Sequence, residues 1–353
     1  MHALRSRLTQ LVELAHRYPT ALALVSFLSG IASFFLVNRQ HRSGGLLALI
    51  LLLSWLWLML ENLLSEKLAT RFGLQIPAGV LRFLTQLIHQ ESLFFVLPFF
   101  LVTTTWNSGQ ALFTSLLAGA ALISVLDPLY YRWLAQNPLV YSVFHTLTLF
   151  AVLLTALPVL LQLTTTQTYG YATVATLLLA FATLLRLVPP AKRWRRLPVM
   201  AALMLVVGGG LWLARFWVPP ATLWLTNVYV SSNVDSDNHS PGLPLKTVSE
   251  DRLRDGLYAY TAIRAPRGLQ EQVFHIWRHD GHVVDRIPLQ IQGGREQGYR
   301  TWSHKTHFPP HSAGHWQVQV VTAGGQLIGV VRFRVTEEKT QTPDTSLNTG
   351  SGV

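Results

Sequence analysis

Histidine carries most of the chemistry this sequence could perform. Thirteen are present, and His304, His307, His311 and His315 fall within twelve residues of one another. Neutral imidazoles so spaced suit Zn²⁺ or Cu²⁺, which would make a metal-binding sensor. Against that, the segment contains Pro309-Pro310, no Asp, Glu or Cys joins it, and it reads as a loop of exposed histidines. No metal site and no cofactor is assigned.

A second constellation is His275, Trp277, Arg300, Trp302, Ser303, Lys305 and Trp316. Residues two apart on a strand share a face, so His275 goes with Trp277 and Arg300 with Trp302. As a recognition patch, the indoles would offer flat apolar surface to a sugar or peptide, and Arg and Lys would pair with carboxylate or phosphate. As a core, Trp277, Trp302 and Trp316 would pack between sheets with Arg300 as a structural partner. Ser303 and His304 do not make a nucleophile pair, because adjacent strand residues point to opposite faces.

A third set is Glu91, Asp127 and His145, polar groups in otherwise apolar surroundings. Turned inward together, they would bind an ion or relay a proton, as a transporter or intramembrane enzyme requires. Glu61, His89 and Asp127 map nearer the rim of the apolar region. No HExxH, GxSxG or GxxxxGK[ST] pattern occurs, so no catalytic residue is named and the balance lies against an enzyme.

The elements that must position these residues follow from composition. Half of the 353 residues are hydrophobic, and only 13% are charged, against about 25% in soluble domains. An ordinary soluble enzyme, a disordered chain and a nucleic-acid binder are disfavoured. The absence of cysteine removes disulfides and thiolate chemistry. The net charge of +11 is concentrated in the first 215 residues, which hold 15 Lys/Arg and 5 Asp/Glu. There it reads as a topology signal.

Residues 1–217 are a series of apolar runs. Seven are long enough to approach the roughly 20 residues a bilayer core demands: 20–38, 43–60, 91–106, 109–126, 139–162, 170–188 and 197–217. With the N-terminus inside, twelve basic residues are cytoplasmic, including Arg82, Arg132, Arg186 and the KRWRR run at 192–196. Only Arg39, Arg42 and Arg215 fall outside. That bias and an odd span count put the C-terminal half in the periplasm. The first span reads as an uncleaved anchor. Segments 1–18 and 77–90 are amphipathic, either lying in the interface or extending spans one and three. Gly208-Gly209-Gly210 suggests close helix packing.

From 218 the pattern changes. Residues 218–248 hold a strand, 223–230, and a polar loop. Residues 249–336 alternate with period two in strands at 257–263, 272–279, 283–291, 298–305, 314–321 and 327–335, with a hairpin turn at Asp280-Gly281. About seven short strands fit an all-β immunoglobulin-like sandwich following an α-helical membrane domain of about seven helices. The tail, 337–353, lacks apolar periodicity and reads as disordered.

VFHIWRHDG (273–281), YRTWSHK (299–305) and GHWQVQVVTAGGQLIGVVRFRV (314–335) occur in that order. Together they resemble the bacterial domain-of-unknown-function family 2914, over about 255–336. The multispan half is similar to the helical region preceding this domain in a group of gammaproteobacterial inner-membrane proteins. The resemblance implies a β domain anchored to a helical membrane region and lends no catalytic residues. The expectation is a non-enzymatic inner-membrane protein presenting a periplasmic β-sandwich. Its partners would be the bilayer and a membrane or periplasmic protein, or a glycan, with no nucleic acid.

Overall fold

The computed structural model describes residues 19–38, 42–72, 78–188, 193–235, 240–265, 271–290 and 298–337. The amphipathic segment 1–18, Arg39, Lys192, the side chain of Glu61 and the tail from 338 lie outside them.

The chain is helical first and sheet-forming afterwards. The helices are α1 (Pro19–Asn38), α2 (Arg42–Phe72), α3 (Ala78–Thr103), α4 (Gln110–Val125), α5 (Pro138–Leu161), α6 (Thr165–Leu179), α7 (Phe181–Leu185) and α8 (Arg193–Leu213). Among the described residues, three stretches are long and apolar enough to cross a membrane: Gly79–Thr103, Pro138–Leu161 and Arg196–Phe216. A fourth arises if α4 and the π-helical turn Pro128–Leu134, bent 101° from it, form one span. Pro128 opens that turn, and its missing N–H is a local cause of the break.

Burial separates the centre of this region from its rim. Residues 148–156 of α5 are buried without interruption, so that helix is surrounded by protein over more than two turns. In α8, by contrast, Leu205 is 76% exposed. Large apolar side chains facing outward along a peripheral helix suit lipid rather than water.

Helix boundaries differ from the sequence expectation at several points; α2, expected at 43–60, runs on to Phe72. The third apolar run starts not at 91 but inside α3, which is continuous from Ala78. Nothing between 78 and 90 breaks a helix, so the amphipathic segment at 77–90 supplies its first half. The sixth run, expected at 170–188, begins at Thr165. Thr164 accepts from the Gln167 N–H at 3.2 Å while the Gln167 side chain takes the Thr164 N–H at 3.1 Å, a capping box written as T-x-x-Q. The same run breaks at Ala180. Of the Gly208–Gly210 triplet only Gly208 makes a close helix contact, where a Cβ would come within 3.1 Å of the Leu177 side chain of α6; a Cβ at Gly209 or Gly210 would meet open space. A tighter pass is at Gly30 in α1, where a Cβ would collide with the Phe94 carbonyl of α3.

The second region contains β1 (Trp224–Ser231), β2 (Val234–Asp235), β3 (Ser240–Pro241), β4 (Thr247–Ser249), β5 (Leu257–Arg264), β6 (Val273–His279), β7 (His282–Pro288), β8 (Tyr299–Lys305), β9 (Gly314–Thr322) and β10 (Leu327–Thr336). They form a three-stranded sheet, β1-β5-β8, a five-stranded sheet, β4-β10-β9-β6-β7, and the small β2-β3 pair. Only β4 with β10 is parallel among these pairings. The β6–β7 turn has positive φ at Asp280 (43°) and Gly281 (85°), as an Asp-Gly hairpin demands. Val230, Leu257 and Ala259 from the smaller sheet share a buried cluster with Trp277, Trp316, Val318 and Phe333 from the larger.

Several helix ends meet this sheet region. Gln110, opening α4, donates to the Leu327 carbonyl at 2.7 Å. Val218, just past α8, accepts from Gln326 at 3.1 Å. Glu271 receives the Thr165 N–H of α6 at 2.8 Å. The Phe34 ring of α1 lies 6.2 Å from Trp224 of β1. The start of α3, the turn after α4, the start of α5 and the end of α7 therefore lie at the far end of the bundle, since a 26-residue helix such as α3 is about 39 Å long.

Candidate functional site

The residues singled out in the sheet region divide by strand alternation. Thr301, Ser303 and Lys305 of β8 point inward and are buried. Arg300 and Trp302, between them, share the opposite face and are half-buried. His275, Trp277 and Trp316 are fully buried. Trp302 thus does not pack between the sheets as the core reading expected. It pairs across β8–β5 with Tyr260, which in turn pairs with Tyr229 of β1.

Inside, His275 bridges the two sheets. Its Nε2 lies 2.8 Å from Thr261 Oγ1 and its Nδ1 2.8 Å from Ser303 Oγ. Trp277 Nε1 donates to the same Ser303 oxygen at 3.2 Å. Both ring nitrogens are paired with hydroxyls, and burial pushes the imidazole pKa down to about 3. Neutral His275 is a strut, not a poised acid or base. Two positions on, Lys305 Nζ reaches Asp285 Oδ2 of β7 at 3.2 Å and stands 5.3 Å from the Phe308 ring. Trp316 donates to the Ser312 carbonyl at 2.7 Å. The histidine, serine and lysine of the sequence motifs are therefore the polar ties between the sheets.

On the opposite face of this sheet, the rings of half-buried Tyr229 and buried Tyr260 are 5.4 Å apart, with Trp302 beside them in the strand register. Burial pushes both tyrosine hydroxyls above their ordinary pKa, against the pull of Arg300. Tyr258 stacks on His304 at 4.0 Å, nearly parallel. This aromatic face escaped the sequence reading because its members come from three strands far apart in the chain. The histidine-rich loop does not converge: among the described residues no group of three His, Cys, Asp or Glu is placed to hold a metal ion.

In the helical region, Glu91, Asp127 and His145 do not share a site. Glu91 lines a cleft with Gly30, Ser54 and Ile88. Asp127 accepts from Gln86 Nε2 at 2.8 Å, and Gln86 also donates to the Ser124 carbonyl at 3.0 Å. His145 lines a different cavity of about 640 Å³, bounded also by Arg82, Tyr130, Tyr131, Tyr141 and Arg186.

His145 has a partner that the sequence reading did not pair with it. His89 is fully buried, near the middle of α3. Its Nε2 lies 3.0 Å from His145 Nδ1 and its Nδ1 2.8 Å from Tyr130 Oη. Trp55 packs edge-on against both imidazoles, at 5.3 and 4.8 Å, and donates to Ser92 at 2.9 Å. With 78–103 as one helix, the extension the sequence left open, His89 and Ser92 are three apart and share a face; the link to His145 on another helix has no signal in the sequence.

Comparison with known families gives two matches. The first, described as a family of unknown function (DUF5924), covers residues 1–259. The second, described as a protein of unknown function (DUF2914), covers residues 270–335, within the stretch whose motifs resemble it. No curated protein matches the chain. The first match runs past the helices and through β1 to the start of β5, so both matched stretches contribute strands to the paired sheets.

Proposed function

Because the chain belongs to the family of unknown function DUF5924, its family supplies no activity, and we propose that it is a non-enzymatic membrane platform. In this reading the helices cross the bacterial inner membrane seven times, with α4 plus its bent turn, and α6 plus α7, each counted as one crossing. The N-terminus is cytoplasmic. The two facing sheets form an immunoglobulin-like sandwich in the periplasm and present a recognition surface to an envelope protein or glycan.

One observation carries the reading: the sheet region is bonded to the helices rather than tethered to them. Glu271 accepts from both the Thr165 N–H and the Thr166 hydroxyl, at 2.8 and 3.2 Å, and Gln326 and Gln110 add two further bonds between the regions. A binding module fixed in this way faces a partner in one orientation and loses less freedom on binding. The seven-span count is supported by the helix ends that meet the sheets, which alternate along the chain as successive crossings require. Arg82, Arg132 and Arg186 belong to the opposite end, which supports a cytoplasmic location for it.

The surface favoured for recognition is the outer face of β1-β5-β8, with Trp302, Arg300, Tyr229 and Tyr258. A photo-crosslinking residue placed at 302 in native membranes tests it, with one at Val284 on β7 as the control. The expected result is a discrete adduct from 302 alone, with a mass that separates protein from glycan. Identical patterns from both positions refute the assignment.

A further inference from the structure

The cavity beside His145 lies at the bundle end remote from the sheets and has a chemistry the platform role does not use. We infer that it binds a phosphate ester carrying an uncharged hydroxyl-bearing group. Arg82 and Arg186, both exposed, supply the cation pair, and His145, Tyr130 and Tyr141 supply the hydrogen-bonding wall.

The charge balance of the lining sets the ligand's sign. Among its described residues are two guanidinium groups and no carboxylate. Guanidinium forks suit the oxygens of phosphate, to which they bond in pairs. A volume of about 640 Å³ lies within the range of small-ligand sites and exceeds what one phosphate fills, so the ligand extends beyond its anion.

The deeper wall sets the rest. His145 Nδ1 is committed to His89 Nε2, and His89 Nδ1 to Tyr130 Oη. Contact between His145 and a ligand therefore falls to Nε2. With both rings neutral the chain has two proton arrangements. In one, Tyr130 donates to His89, His89 donates to His145, and Nε2 carries a hydrogen. In the other every bond reverses and Nε2 is a bare acceptor. A hydroxyl, which both donates and accepts, fits either arrangement, whereas a second anion or an ammonium fits only one. Leu58 and Leu81 make part of the lining apolar, compatible with a glycerol backbone or the start of an acyl chain.

Phosphate esters of this kind occur as lipid head groups and as free metabolites, and the test separates them. The full chain would be reconstituted in nanodiscs of phosphatidylcholine with a minority of phosphatidylglycerol, released, and weighed by native mass spectrometry. A parallel arm would titrate glycerol 3-phosphate and inorganic phosphate against the chain in phosphatidylcholine alone, read by thermal shift. A stoichiometric phosphatidylglycerol adduct supports the site with a lipid source, and saturable stabilisation by glycerol 3-phosphate over inorganic phosphate supports it with a soluble one. In either case the R82Q/R186Q variant should bind about ten-fold more weakly or worse, since it removes both charge-assisted partners of the phosphate. If circular dichroism shows that the double variant does not fold, R82Q alone carries the comparison. No binding in either arm, or binding that the arginine variants leave unchanged, overturns the assignment.

Discussion

Glu271 of the sheet region caps a helix of the other region: its carboxylate accepts the Thr165 N–H at 2.8 Å and lies 3.2 Å from the Thr166 hydroxyl. Thr164 and Gln167 already satisfy two N–H groups of that helix end, and a carboxylate there also meets the positive end of the helix dipole. The contact therefore serves helix stability and docking at once. Glu271→Ala is expected to cost about 1–2 kcal/mol, the scale of a lost cap, with Glu271→Gln intermediate. Hydrogen exchange should rise at 164–168 and at the 322–327 turn together. A rise at the helix alone would mean that the remaining bonds hold the sheets without it.

His275 makes stability depend on pH. Burial holds its folded pKa at about 3, and an unfolded histidine titrates near 6.5. Between those values the unfolded chain binds a proton that the folded chain refuses. The contribution is thus intact above pH 6.5 and declines as pH falls toward 3, by up to about 1.4 kcal/mol per unit. His275→Gln should be less stable than wild type at pH 7.5 yet lose less on going from pH 6.5 to 5, a window chosen to avoid most carboxylate titration. Near-UV circular dichroism of the solubilised chain in urea would report this. Equal losses in both proteins would remove His275 as the cause.

The Lys305–Asp285 pair is lopsided, since the lysine side chain is 3% exposed and the aspartate 43%. Removing either charge does not cost the same. Lys305→Met leaves a carboxylate that water can solvate and fills the space with a similar stem, so a loss of about 1 kcal/mol or less is expected. Asp285→Asn leaves a buried ammonium facing only an amide and the Phe308 ring. That should cost about 2 kcal/mol, below the usual range for a broken buried pair because solvent already screens the aspartate. Urea midpoints of the two variants give the order, and a reversed order would contradict the burial asymmetry.

Strand β8 shows where sequence reading stops. The alternation in YRTWSHK gives two faces, and Asp280-Gly281 and the other turn residues place the neighbouring strands to within a few residues. Hydropathy then points the wrong way, for it would bury Trp302 and expose Lys305. The structure does the reverse because Ser303 and Lys305 find His275 and Asp285 across the interior. Partners on distant strands decide such a case, and a local pattern does not contain them. The helices fail differently. An apolar run marks where lipid can be tolerated but not where a helix begins, and so hydropathy leaves open whether the polar-faced first half of α3, with His89 in it, lies in the interface or continues the second.

Gly30 and Gly209 are both helical glycines in apolar surroundings, and their surroundings predict opposite outcomes for alanine. At Gly30 the added methyl would strike the Phe94 carbonyl, backbone of α3 that cannot swing aside. Gly30→Ala must then part α1 from α3, at about 1–3 kcal/mol for overpacking, and disturb the cleft that holds Glu91. At Gly209 the methyl would meet nothing within 4 Å. Gly209→Ala should therefore stabilise, by up to about 1 kcal/mol from helix propensity alone. Thermal unfolding of both variants in one detergent measures the contrast. A Gly209→Ala variant destabilised as much as Gly30→Ala would mean that α8 packs at its glycines against something in the membrane, and that this surface is not simply lipid-facing.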